Sequence, residues 1–130
     1  MSEIRFEVTS WDVLTPAAGD PLFGAHAGDG PALTRTRLTK RYSGELEGES
    51  VVEMQACGEE GYVATERVCG MLGGRRGTFV LQHGATFDPD GAPRQFGWVA
   101  KGSGSGELTG LSGTARVEHG LLSLDWRLPA

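Results

Sequence analysis

The residues of this chain best suited to chemistry are Glu66 and His83, with Lys40 and Tyr62 placed to share their site. A carboxylate enclosed by apolar side chains must be paired or have a raised pKa. Beside His83, Glu66 would form a general acid–base pair poised near neutral pH. Lys40 would balance its charge, and the Tyr62 hydroxyl would donate a hydrogen bond. A second reading of the same residues is a buried ion pair that fixes strand register. In that case Tyr62 is a core aromatic with one satisfied hydrogen bond.

Whether these groups meet depends on the elements that hold them. Period-two alternation dominates the chain and predicts strands over 3–9, 33–42, 45–57, 61–72, 77–87, 94–101, 114–118 and 121–128. In the first, Ile4, Phe6 and Val8 share a face; in the third, Leu46, Gly48, Ser50, Val52 and Met54 do. A loop over 16–31 is long for a compact domain and reads as either a lid or a mobile excursion. Residues 102–113 are glycine-rich, with one helical turn at Glu107-Leu108-Thr109. Short strands joined by tight turns, with 21 glycines among 130 residues, predict one all-β domain, an up-and-down barrel or a sandwich.

Turn arithmetic places the candidates. A two-residue turn at His119-Gly120 pairs Val117 with Leu122 and Ala115 with Leu124, so apolar meets apolar. A turn centred on Gly44 pairs Tyr42 with Leu46, Lys40 with Gly48 and Leu38 with Ser50. A two-residue turn at Gly73-Gly74 pairs Glu66 with Leu81 and Ala64 with His83; a four-residue loop pairs Glu66 with His83 directly. Both put Glu66, His83, Phe79 and Leu81 on one face, whereas an odd-length loop would bring Arg67 there instead. Trp11, Trp98 and Trp126 read as wall residues.

Composition excludes other functions. Acids outnumber bases 17 to 12, and Arg35, Arg37, Lys40 and Arg41 are offset by Glu45, Glu47 and Glu49 as a cross-strand ladder, so no nucleic-acid partner is expected. No stretch approaches the ~18 apolar residues of a membrane helix, and the first residues lack the apolar core of a signal peptide. Cys57 and Cys69 are too few for a disulfide scaffold and too far apart on the predicted hairpin to bond, so a cytoplasmic chain with reduced thiols is expected. His26, His83 and His119 are widely spaced and no close cysteine pair accompanies them, so no metal site is expected. The run Gly102-Ser103-Gly104-Ser105-Gly106-Glu107 lacks the Lys-Ser/Thr of a phosphate loop and any surrounding βαβ unit. No cofactor is expected.

Several segments together resemble a known family. Ser43-Gly44-Glu45-Leu46-Glu47-Gly48, Tyr62-Val63-Ala64-Thr65-Glu66-Arg67-Val68, Gly74-Arg75-Arg76-Gly77-Thr78-Phe79-Val80-Leu81-Gln82-His83 and the run from Gly102 to Gly113 are similar, in order, to the motifs of the domain-of-unknown-function 3224 family. The resemblance implies an eight-stranded antiparallel up-and-down barrel of the calycin or allene-oxide-cyclase-like type. The wider superfamily includes cofactor-free cyclases that fold a flexible substrate inside an apolar barrel, and it often forms oligomers, which allows a homo-oligomer here. Where the family often ends in a His-x-Tyr-x-Leu-Asp-Tyr strand, this chain reads Gly120-Leu121-Leu122-Ser123-Leu124-Asp125-Trp126. Lost polar groups imply a drier cavity.

The expectation is therefore a barrel that binds a small, largely apolar molecule and promotes cofactor-free cyclisation or isomerisation. Glu66, His83, Lys40 and Tyr62 would do the chemistry; Phe79, Leu81, Leu124 and Trp126 would shape the walls. The alternative is a non-catalytic carrier or sensor using the same cavity, or a packed module with none.

Overall fold

The structure, a computed structural model, describes residues 2–25 and 28–129. Positions 26 and 27, within the expected 16–31 loop, lie outside the described residues. The elements are β1 (Ser2–Leu14), β2 (Leu33–Ser43), β3 (Leu46–Cys57), β4 (Gly61–Leu72), β5 (Arg75–Phe87), β6 (Pro93–Val99), β7 (Ser112–Glu118) and β8 (Leu121–Arg127), with a 3-10 turn at Gly106–Leu108. Each strand pairs antiparallel with the next, and β1 pairs with β8 to close the sheet into a ring. No helix among the described residues is long and apolar enough to cross a membrane.

Local chemistry sets most registers. The turn at His119-Gly120 has both residues at positive φ (50° and 75°), the conformation of a two-residue hairpin, and Ala115 pairs with Leu124 as expected. Gly73 and Gly74 likewise have positive φ (58° and 81°) and make a two-residue turn, so Glu66 pairs with Leu81 and Ala64 with His83. The β2–β3 hairpin differs from expectation by two residues: Tyr42 pairs with Gly48, Lys40 with Ser50 and Leu38 with Val52. A shift of two preserves both faces. It sets Tyr42 opposite a residue with no side chain and moves the charge ladder along. Arg35 and Arg37 meet Glu53 at 3.2 and 2.7 Å and Arg41 meets Glu49 at 3.7 Å, while Glu45 accepts from Ser2 and Trp126 instead.

β1 is longer than its alternation suggests because a bulge between Val8 and Ser10 resets the period. Val8 pairs with Lys40 and Trp11 with Leu38, so both lie on the inner face. Closure is uneven. β8 pairs with β1 only from Ser2 to Arg5; beyond that β1 runs beside β2, and Phe6 N–H donates to the Gly120 carbonyl.

Phe79, Leu81 and Leu124 are fully buried in the larger apolar cluster, and Trp126 packs against it. A smaller cluster, Leu38, Val52 and Ala64, with Met54 and Tyr62 against it, lies toward the other end. Of the three tryptophans, only Trp126 is a wall residue. Trp11 is 58% and Trp98 59% exposed, the latter beside outward-facing Gln82.

Gly48 and Gly70 face each other across β3 and β4. A Cβ at Gly70 would run into the Glu47 carbonyl oxygen, and one at Gly48 into that of Cys69. Gly70→Ala should therefore cost about 1–3 kcal/mol, a fall in Tm of roughly 4–15 °C at this size. An unchanged melting curve would show that these strands can separate freely.

Candidate functional site

Alternation sends Lys40 and Tyr42 from β2, Ser50 from β3, Glu66 from β4 and His83 from β5 to the inside of the ring, where all five are buried. Glu66 is at the centre. Its Oε2 accepts from Lys40 Nζ at 2.6 Å and lies 2.6 Å from His83 Nε2. Its Oε1 accepts from the Tyr42 hydroxyl at 2.6 Å and the Ser50 hydroxyl at 2.8 Å. A carboxylate has about four lone-pair sites, and these contacts occupy them. The Lys40 ammonium also lies 4.3 Å from the centre of the Phe6 ring, a cation–π contact within the interior.

Burial by itself would raise the Glu66 pKa. The hydrogen bond from His83 and the charge of Lys40 outweigh it and hold the carboxyl at about 2, against 4.5 ordinarily. The reading of Glu66 as a group poised near neutral pH gives way to a fixed anion, because the pairing is complete. The imidazole is oriented by it. A ring nitrogen 2.6 Å from a carboxylate oxygen must present a hydrogen, since two lone pairs would repel, so Nε2 is the donor. In the neutral ring Nδ1 is then an acceptor, and the Tyr62 hydroxyl stands 3.4 Å from it. The two rings meet edge to face, their centroids 5.8 Å apart. Tyr62 is half-buried. Burial and then the Glu66 charge push its phenol upward, so it remains an O–H donor at neutral pH.

The polar chain thus runs from sealed Glu66 through His83 to half-buried Tyr62, beside the Leu38, Val52 and Ala64 cluster. The four residues expected to do chemistry are together. The expected walls, Phe79, Leu81 and Leu124, are packed core. A groove of about 820 Å³ lies on the outer face of β2–β5, lined by outward residues including Thr39, Val51, Arg67 and Val80. Tyr42 and Ser50 were not anticipated as part of the site. Both share the inner face by alternation, but only the observed register brings Ser50 opposite Lys40.

Comparison with known proteins supplies the family. The chain matches the family described as "Protein of unknown function (DUF3224)" over residues 3–121. It belongs to the DUF3224 family. The DUF3224 chain is similar to a protein of unknown function from the same family in Shewanella oneidensis MR-1, whose crystal structure is at 1.84 Å resolution. The two are 34% identical, with a TM-score of 0.79 over 99% of this chain and 96% of the other. No curated protein matches it.

In this DUF3224 protein, no group of three His, Cys, Asp or Glu side chains among the described residues is arranged to hold a metal ion. His119 is in the β7–β8 turn, and His26 lies outside the described residues. Cys57 and Cys69 are both unbonded thiols.

The sign of the Glu66 shift dictates an acid response. A carboxyl held below its ordinary value contributes stability above that value and loses it as pH falls toward about 2. Denaturant titrations should show the wild type losing stability steeply between about pH 5 and 2. Glu66→Gln should be less stable at neutral pH by about 3–5 kcal/mol, because Lys40 is left buried without its anion, and should show a shallower slope across that acid window. An equal slope in both proteins would contradict the assignment.

Proposed function

We propose that this protein binds a small, neutral, largely apolar organic molecule within a barrel of the allene-oxide-cyclase-like type and promotes its cofactor-free isomerisation or cyclisation. The observation that carries the reading is the polar chain Glu66–His83–Tyr62, sealed at the carboxylate and half-buried at the phenol. Among the described residues, Lys40 and Glu66 are the buried lysine or arginine and aspartate or glutamate side chains, and they are spent on each other, which suits an uncharged ligand. The apolar body would rest on Leu38, Val52 and Ala64, with Met54 and Tyr62 beside it.

For a ligand with a carbonyl group the step balances without a co-reactant. His83 Nδ1 takes a proton from the carbon next to the carbonyl. The electron pair of that C–H bond moves to oxygen, where the Tyr62 O–H stabilises the enolate. The imidazolium, held by the Glu66 anion, returns its proton at another carbon of the conjugated system. The Tyr62–His83 contact of 3.4 Å is long for a hydrogen bond and is the one a ligand oxygen would replace. Glu66 is a positioning residue and Lys40 its counter-ion. A cytoplasmic setting belongs to this reading and is supported by the two unbonded thiols.

The saturation of Glu66 favours a second reading, a non-catalytic carrier in which the cluster only holds strands in register. A medium-chain aliphatic ketone in D2O separates the two. Protein-dependent exchange of its α-hydrogens, followed by NMR, should fall about 100-fold or more in His83→Ala and about 100-fold in Tyr62→Phe, with ketone binding nearly unchanged. Binding without exchange would establish the carrier; full exchange in His83→Ala would remove the imidazole from the mechanism.

A further inference from the structure

β1 turns an apolar face to the interior where the ring leaves it open. Val8 pairs with Lys40, Trp11 with Leu38 and Val13 with Thr36, and all three partners are buried inside the ring. Directly paired residues of an antiparallel sheet share a face. Val8, Trp11 and Val13 therefore face inward, yet they are 47%, 58% and 54% exposed. Pairing with β8 has stopped at Arg5, so nothing on that side covers them among the described residues.

The bulge makes this face apolar. Unbroken alternation from Val8 would turn Ser10 and Asp12 to the interior. Instead the Thr9 and Ser10 hydroxyls both share hydrogen bonds with the outward Thr39 hydroxyl, at 2.7 and 2.6 Å, and Asp12 pairs with Arg37. Trp11 and Val13 take the inward positions. Re-aiming a side chain beside a site is a recurrent use of bulges. Sheet register then links this face to the polar chain. From Trp11 the paired residues run through Leu38 and Val52 to Glu66; from Val13 they run through Thr36, Met54 and Ala64 to His83. Tyr62 begins β4 at the end toward which β1 outruns β8. Among the described residues, no other ring and no cation is stacked on the Trp11 indole.

We propose that Trp11 sets the class of ligand this site takes: an uncharged carbonyl compound with a planar ring, the ring lying on the indole and the carbonyl reaching His83 and Tyr62. The inference rests on the interior being a ligand site and names what enters it. A planar ring on an indole gains more than its buried area alone supplies, whereas a straight chain gains area only.

Titration of the full chain with a phenylbutanone and with a straight-chain decanone, which have the same number of carbons, tests it. The indole N–H signal of Trp11 in NMR spectra, assigned by its loss in Trp11→Phe, should move as the phenylbutanone is added. By calorimetry Trp11→Phe should bind both ketones as the wild type does. Trp11→Leu should bind the phenylbutanone about 3- to 10-fold more weakly, with the decanone changed less than about 2-fold. Trp11 is exposed, so both variants should give the wild-type circular dichroism spectrum. Unaltered phenylbutanone affinity in Trp11→Leu, or an equal loss for both ketones, overturns the inference and leaves the interior a ligand site. A wild type that binds neither ketone overturns the ligand reading and this inference with it.

Discussion

The buried carboxylate of Glu66 is the constraint on which the interior depends. An ionised group without solvent must be met by donors on every lone pair, or it will protonate. Here the donors come from three other strands: Lys40 and Tyr42 on β2, Ser50 on β3 and His83 on β5. A slip of one residue in any of these strands would turn its donor to the outside. The cluster therefore selects one register for β2 to β5, and the same contacts aim the His83 ring at Tyr62. Register and site geometry are two consequences of one electrostatic requirement.

That requirement explains which features of the chain could be read directly from its residues. The alternation from Gly61 to Leu72 and the Gly73-Gly74 turn suffice to place Glu66 and His83 on one face, and both limits of β4 follow from them. His119-Gly120 does the same for β7 and β8. Turn counting at Gly44 failed by two residues because a shift of two leaves every side chain on its own face, so hydrophobic pattern has no power against it. What the observed register supplies is the set of hydroxyls the carboxylate needs, from Tyr42 and Ser50. Those are contacts between strands distant in sequence, and no local pattern encodes them. The extension of β1 was hidden for another reason. Its bulge changes the parity of the inner face from Val8 to Trp11, and period-two reading stops there.

Packing divides the ring into two ends of different character. At one end Phe79, Leu81 and Leu124 fill the interior, and Leu108 from the 3-10 turn packs over Gly77. At the other, Leu38, Val52 and Ala64 form a smaller cluster with half-buried Met54 and Tyr62. The polar cluster lies between the more fully packed end and the end where Met54 and Tyr62 are half-buried. The uneven closure of β1 belongs to the same asymmetry, for the strand outruns β8 on the side of that second end.

The central claim is that the fixed Glu66 anion orients His83 so that Nδ1 is left for Tyr62 or a ligand. Nitrogen-15 NMR of the histidine side chains, followed across pH with His83 assigned by substitution, tests it most directly. The account predicts that neutral His83 has its hydrogen on Nε2 and an unprotonated Nδ1. A neutral ring with its hydrogen on Nδ1 would contradict it, for the imidazole would then face Glu66 with a lone pair and have no base to offer.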